Sequence, residues 1–341
     1  MNEKYMKLCL ELAKKGLGHV SPNPLVGSVL IKDDQIIGQG YHKKAGKDHA
    51  EVEAINDAKN KGHLVAGSTL YCNLEPCSHT DKRTPPCAPL IAKEKIAKVV
   101  IANIDPNPKV QGNGVKHLKD CGIEVIIGVC EKEAKQLNEV FFHAMTYLRP
   151  FVHIKVAQTL DGKMATCSGD SKWISNESAR REVHLLRLKY DAVAIGANTL
   201  RNDNPSLTIR MGIEANNKIP YRVVYGQKDK FDPSLKLLDD EYKEKTIFIN
   251  KNEFTSHSKA LDQLFKKGIH SLLVEGGPTL ISSFIEEDIW DKMTIYMAPK
   301  ILGEGLSIYN KNNEMINQAK NLATENIRQL EGQVVWDLVR K

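Results

Sequence analysis

No stretch of this 341-residue chain runs through 18 or more apolar residues, so no membrane-spanning helix is expected. The start, Met1-Asn2-Glu3-Lys4-Tyr5, mixes charges and lacks an apolar core, so no secretory signal is expected. Cysteine is sparse and odd in number: Cys9, Cys72, Cys77, Cys87, Cys121, Cys130 and Cys167, without the spacing of a disulfide framework. The expected compartment is therefore reducing, the cytoplasm, and no membrane partner is expected. A net charge of +6 and 6% aromatics are too little of either to argue for a nucleic-acid surface, although mild positive charge suits phosphorylated ligands. There is no repeat at a fixed period and no low-complexity segment.

The length predicts two domains, because a single core rarely grows beyond about 250–300 residues. Helical and strand patterns alternate through the first half, which predicts a three-layer α/β domain. Helical spacing runs from Tyr5 to Lys15, His49 to Lys59 and Cys87 to Lys93. Strand patterns run from Val26 to Ile31, Gln35 to Gly38, Thr69 to Leu74, Lys98 to Ala102 and Gly122 to Ile127. Glu131 to Leu148 reads as one helix with no turn signal inside, stopped at Arg149-Pro150. The domains are thus expected at 1–148 and 149–341. The second half starts a new α/β alternation, with strands at Phe151 to Ala157, Ala192 to Gly196, Tyr221 to Tyr225, Thr246 to Asn250, Ser271 to Glu275 and Lys292 to Met297. Its clearest helices are Glu177 to Tyr190, capped by Ser175 or Asn176, and Thr279 to Glu286.

Chemistry concentrates in two short motifs, His49-Ala50-Glu51 and Glu75-Pro76-Cys77, the latter reaching through Thr84-Pro85-Pro86 to Cys87. One imidazole and two thiolates can hold zinc and leave its fourth tetrahedral position open, as catalytic zinc sites do. His49 and Cys87 both open predicted helices, and the partial positive charge at a helix N-terminus favours thiolate. Glu51 is spaced to stay out of the ligand set and to move protons for a zinc-activated water. This is the arrangement of zinc nucleobase deaminases, with a much longer gap between the cysteines than two residues. The alternative is a closed structural site with His79, Cys72 or Asp81 as fourth ligand, although Cys72 reads better as a small core residue inside an apolar strand. Asn23, held between Pro22 and Pro24, has an amide able to read a heterocycle edge, or it is simply part of a loop entering a strand. His42 could face the same pocket.

In the second half, Val274-Glu275-Gly276-Gly277-Pro278-Thr279 is a strand, a glycine pair and a helix start, a phosphate cradle or a plain tight turn. It is not the G-x-G-x-x-G dinucleotide fingerprint. Loops after the strands at Lys155 to Ala157 and Ala192 to Gly196, the second continuing into a polar loop with Asp203, fall where open α/β sheets bind ligands. Arg187 and Arg210 are fitting clamps for a phosphate, or solvated surface charges.

Ser21 to Gly27, His49-Ala50-Glu51 and Leu74 to Cys87 resemble the deaminase half of the bifunctional riboflavin-biosynthesis deaminase/reductase family. Lys155 to Lys163, Gly169 to Ile174, Gly196 to Thr208, Val274 to Leu280 and Tyr296 to Gly303 resemble its reductase half. Between Cys77 and Cys87 this chain carries one residue more than the family pattern and lacks a glycine, so a small surface bulge with the zinc site kept is expected. The resemblance implies a cytidine-deaminase-like domain followed by a dihydrofolate-reductase-like α/β domain. It implies zinc on His49, Cys77 and Cys87, with Glu51 catalytic. It implies NADPH contacts from Ala157, Trp173, Thr199, Asp203 and the turn Gly277, Pro278, Thr279, Leu280, Ile281, Ser282 and Ser283. It implies substrate contacts from Ser171, Arg187, Leu207, Arg210 and Glu275, with Asn23 in the deaminase. Lys155 is a candidate proton donor or substrate anchor. The implied reactions are hydrolytic deamination of 2,5-diamino-6-ribosylamino-4(3H)-pyrimidinone 5′-phosphate, then NADPH-dependent reduction of the ribosyl group to ribityl. The partner is thus a small phosphorylated pyrimidine, and a homo-oligomer is compatible with this. Two rivals predict other outcomes: a tRNA adenosine deaminase with an accessory domain, and a zinc-stabilised binding module with an inert reductase-like fold.

Overall fold

Met6, Cys9, Leu10 and Ala13 fall on one helical face, and burial of that face builds the first element against the sheet that follows. The computed structural model describes residues 3–78, 85–108, 110–215, 217–250, 252–309 and 315–341. The chain divides into two compact units, Met1–Leu148 and Arg149–Lys341. Among the described residues no helix is long and apolar enough to cross a membrane.

Unit 1 runs α1 (Glu3–Lys14), β1 (Gly27–Lys32), β2 (Gln35–Tyr41), α2 (Ala50–Asn60), β3 (Thr69–Leu74), α3 (Cys87–Lys93), β4 (Lys98–Asn103), α4 (Asn113–Asp120), β5 (Glu124–Ile127), α5 (Glu131–Leu137) and α6 (Glu139–Tyr147). Its strands form one sheet in the order β2-β1-β3-β4-β5, antiparallel around β1 and parallel from β3 to β5. Strand residues alternate between two cores, as a period of two requires. Leu30, Leu70, Val99 and Ile101 pack under α2, α3 and α4. Val29, Tyr71, Val100 and Ala102 pack under α1 and α5. The result is the expected three layers. Helix α2 lies close on β2 because Gly38 and Gly40 carry no side chain: a Cβ there would sit 2.3 Å from the Ala54 oxygen or 2.5 Å from its nitrogen.

The single helix expected from Glu131 to Leu148 is corrected to α5 and α6, broken at Asn138 (φ −106°, ψ 25°). Asn138 is buried, and its amide serves a distant backbone. Its Oδ1 accepts from Leu25 N–H at 2.8 Å and its Nδ2 donates to the Leu25 carbonyl at 2.9 Å. Buried backbone groups need partners, and that need outweighs helical continuity here.

Unit 2 runs β6 (Phe151–Thr159), β7 (Lys163–Ala165), α7 (Glu177–Lys189), β8 (Ala192–Gly196), α8 (Ala197–Asp203), β9 (Tyr221–Tyr225), α9 (Lys236–Asp239), β10 (Thr246–Ile249), α10 (His257–Lys266), β11 (Ser271–Val274), α11 (Pro278–Glu286), β12 (Lys292–Ala298), β13 (Leu306–Ser307), β14 (Leu322–Leu330) and β15 (Gln333–Arg340). Its main sheet has the order β10-β9-β8-β11-β6-β12-β15-β14, parallel through β12 and antiparallel beyond. Val152, Ile154, Ala194, Val223 and Leu272 meet α10 and α11 on one face, and Tyr296 and Val335 meet α7 on the other. Asn176 caps α7 by accepting from Ala179 N–H. Two sequence expectations are revised. The polar loop after Gly196 begins with a helix, α8, anchored by buried Leu200. The hairpin β14–β15, which the strand pattern did not reveal, extends the sheet.

Candidate active sites

In unit 1, β3 delivers Glu75-Pro76-Cys77 just past its carboxyl end, and α3 starts at Cys87 behind Pro86, where a missing N–H costs nothing. His49 is the extended N-cap residue of α2 (φ −77°, ψ 162°). These placements put His49 Nδ1 3.5 Å from Cys77 Sγ and 3.4 Å from Cys87 Sγ, and all three donor atoms lie within 4.8 Å of one another. Tetrahedral zinc, with bonds of about 2.3 Å to sulfur and about 2.0 Å to nitrogen, separates its donors by roughly 3.5–3.8 Å. The donor set therefore fits zinc in spacing and in chemistry, and three protein ligands leave one position for water. Cys77 Sγ also accepts the Cys87 N–H at 3.4 Å, which favours thiolate.

Glu51 is buried, not a surface residue, and its Oε2 has no hydrogen-bond partner among the described residues. Burial pushes its carboxyl above the usual range; His49 opposes this and Cys77 adds to it. It stands outside the three-donor group, as its spacing predicts. Cys72 is buried in β3, where burial pushes its thiol well up, and it is not in the donor group either. His79 and Asp81, with most of the segment between Cys77 and Cys87 where the bulge is expected, lie outside the described residues.

Asn23 lies beside this group. Its Nδ2 is 3.0 Å from His42 Nε2, and the His42 ring meets the His49 ring edgewise with centroids 5.5 Å apart. The Asp48 carbonyl, 2.9 Å from His42 Nδ1, can only accept. His42 thus carries its proton on Nδ1 and accepts from the Asn23 amide on Nε2. Burial pushes His42 below the usual imidazole range, in keeping with a neutral ring. The segment after Asn23 is clamped at Leu25 by Asn138, and the Leu25 carbonyl also accepts from Asn73 Nδ2 at 2.9 Å.

Unit 2 holds a cavity of about 1230 Å³ at the carboxyl ends of β6, β8, β9 and β11, larger than the roughly 300–1,000 Å³ usual for one small ligand. Lys155, Ala157, Ser171, Trp173, Arg187, Thr199, Asp203, Leu207, Arg210 and Glu275 all line it, as do Gly277, Pro278, Thr279, Leu280 and Ser283. Ile281 and Ser282 do not: they are buried, and Ile281 is in the core under α11. A helix turns successive side chains around its axis, so seven consecutive residues cannot share one face. Helix α11 starts at the cavity with no side-chain cap at Gly277, leaving N-terminal N–H groups for a phosphate-bearing cofactor.

The charged centre of this cavity is a triad. Arg187 forks onto Glu275, Nε to Oε1 at 2.6 Å and Nη2 to Oε2 at 3.0 Å, and its Nη1 donates to the Thr208 carbonyl at 3.0 Å. Lys155 Nζ is 3.7 Å from Glu275 Oε2. Burial works to raise Glu275, but Arg187 and Lys155 outweigh it and hold the carboxyl below the usual range. Burial pushes Lys155 down, against the pull of Glu275. Arg210 differs: its side chain is exposed at the cavity with no carboxylate paired to it among the described residues. His184 holds that loop by accepting the Arg210 N–H on Nδ1 at 3.0 Å; burial lowers this imidazole to about 4.

Sequence reasoning missed His184, Asn73 and Asn138 as supports of the two sites. A buried-looking Asn inside an apolar helix pattern was the available signal for Asn138; the other two carried none.

The family described as RibD C-terminal domain matches residues 150–336, and the cytidine and deoxycytidylate deaminase zinc-binding region matches residues 1–103. The chain is 44% identical over 326 residues to the riboflavin biosynthesis protein RibD of Aquifex aeolicus, covering 90% of each. It is 36% identical over 329 residues to that of Escherichia coli, covering 89% of each. Among solved structures it is similar to Acinetobacter baumannii RibD, with TM-score 0.91 and 37% identity over 99% of this chain and 98% of that one. The same values hold for a diaminohydroxyphosphoribosylaminopyrimidine deaminase/5-amino-6-(5-phosphoribosylamino)uracil reductase of Thermotoga maritima.

Proposed function

The chain belongs to the RibD family of riboflavin-biosynthesis proteins, and on that basis we propose how its own residues divide the work of a bifunctional deaminase and reductase. It acts on 2,5-diamino-6-ribosylamino-4(3H)-pyrimidinone 5′-phosphate, first removing the amine at C2 and then reducing the ribosyl group to ribityl. The observation that carries this is the pairing, in one chain, of a three-donor His/Cys/Cys group beside a buried carboxylate with a second, reductase-type cavity.

His49, Cys77 and Cys87 would hold zinc, which when bound supplies Lewis acidity that makes water nucleophilic near neutral pH. Glu51 takes a proton from the attacking water on Oε2 and returns protons to the ring nitrogen and the departing ammonia. Its buried Oε2, with no hydrogen-bond partner among the described residues, is placed to hold a proton between those steps. Asn23, oriented by His42, reads the edge of the pyrimidine.

In unit 2, NADPH would lie along the uncapped start of α11, with Ala157, Trp173, Thr199 and Asp203 around it, and it supplies the hydride that C1′ accepts. Lys155 Nζ donates a proton to the ribose ring oxygen as the C1′–O bond opens. Glu275, held by Arg187, keeps Lys155 charged in a buried site. Arg210, on a loop tied to His184, binds the 5′-phosphate, and Ser171 and Leu207 close the substrate end. The tRNA-deaminase rival is not favoured, because the similarity spans both units.

An assay with the diaminopyrimidinone phosphate, reading ammonia release and NADPH oxidation separately, tests this reading. Glu51→Gln should keep zinc, lower deamination by about 10³-fold or more, and leave reduction of the deaminated intermediate intact. Ammonia release at the unaltered rate would overturn the role of Glu51.

A further inference from the structure

Glu75 belongs to the motif that supplies Cys77, yet it is neither a zinc donor nor a proton carrier in the reading above. It is buried, 3% exposed, and stands outside the three-donor group. Three backbone N–H groups converge on it. Oε2 accepts from Asp105 at 3.1 Å and from Gly112 at 2.9 Å, and Oε1 accepts from Val115 at 3.0 Å. Gly112 is the N-cap of α4 and has no side-chain cap of its own, so Glu75 caps that helix from another part of the chain. The loop so gathered carries Val110, 1% exposed, which packs against Cys77 and Cys87. Gly114 completes the joint: a Cβ there would lie 2.0 Å from the Pro76 carbonyl oxygen. Only a glycine lets α4 come this close to the residue preceding Cys77.

We propose that Glu75 is a positioning residue for the zinc ligand Cys77: by capping α4 it locks the Pro76-Cys77 turn and the Val110 loop so that Cys77 Sγ stays in register with His49 and Cys87. This rests on the zinc reading of the donor group. A ligand pinned through three charge-assisted hydrogen bonds needs little rearrangement to meet the metal, so the effect falls on zinc affinity and on the geometry of the bound ion.

The test uses the full chain as wild type, Glu75→Gln and Gly114→Ala. Zinc affinity is measured by competition with a chelator, the ligand field by Co²⁺ absorption, and local order by amide exchange. In both variants zinc affinity should fall about 10–100-fold, the range seen when groups supporting a ligand are removed. The Co²⁺ spectrum should shift, exchange should rise at Asp105, Gly112 and Val115 but not in β3 or β4, and the reductase activity should be unchanged. Affinities within twofold of wild type in both variants would overturn the proposal. So would loss of protection throughout β3 and β4, which would make Glu75 a residue of general stability. A wild-type chain that takes up no zinc would instead sink the zinc reading itself.

Discussion

Glu51 and Glu275 are both buried carboxylates, and their surroundings push them in opposite directions. Glu51 has an oxygen without a partner among the described residues and is raised by burial, whereas Glu275 is lowered because Arg187 and Lys155 outweigh burial. On the proposed function, one residue type serves as proton carrier in one unit and as electrostatic anchor in the other, set apart by the neighbours each is given. Arg187 and Arg210 divide in the same way. Arg187→Ala would take two hydrogen bonds from buried Glu275 and leave it only the more distant Lys155, so it should cost unit 2 about 1–3 kcal/mol in a denaturation experiment. Arg210→Ala should leave stability within about 0.5 kcal/mol and raise the reductase KM about tenfold or more. Equal effects of the two substitutions on stability would contradict this division. The pH dependence follows from signs. His184 is lowered in the folded state, so its contribution to stability is present above its ordinary value of about 6.5 and is lost as pH falls toward about 4. Glu275 is also lowered, so its contribution holds above about 4.3 and is lost on further acidification. Denaturation of unit 2 followed against pH should weaken in that order, and Glu275→Gln should flatten the acid limb.

At the scale of elements, the break between α5 and α6 matters because of what Asn138 holds. Its amide grips both backbone groups of Leu25, two residues after Asn23. Asn138→Leu should therefore cost about 1–3 kcal/mol and raise the deaminase KM more than it lowers kcat, since the loop bearing Asn23 is loosened. Asn138→Asp keeps the acceptor for Leu25 N–H and should be milder; denaturation and steady-state kinetics check both. The helix expected from Glu131 to Leu148 fails for the same reason: local periodicity reports what a segment can do alone, and the partner of Asn138 lies 113 residues away. Elements set by local pattern were readable with their ends, as β3 and α3 were, because their apolar period, prolines and caps all lie within the segment. The hairpin β14–β15 was not, because most of β14 is solvent-exposed and its alternation is faint.

At the scale of the molecule, each unit carries its own ligand chemistry. A chelator should lower amide protection in the strands and helices around His49, Cys77 and Cys87, and NADPH at 100 times its Kd should stabilise unit 2 by about 2.7 kcal/mol. Hydrogen exchange read by mass spectrometry separates the two effects, and protection that moves in unit 2 on chelation would count against separate sites. The sequence by itself determined which residues form the candidate donor group, their order and the carboxylate beside them, because a candidate ligand set is a matter of residue chemistry and short spacing. It likewise determined the glycine turn before α11 and the two-part organisation. Only the tertiary structure decided that Arg187 is bound to Glu275 while Arg210 is not, that Ile281 and Ser282 turn inward, and that Glu75 caps α4. Those are facts about which groups meet across long stretches of chain, and burial and hydrogen-bond satisfaction settle them only once the chain is folded.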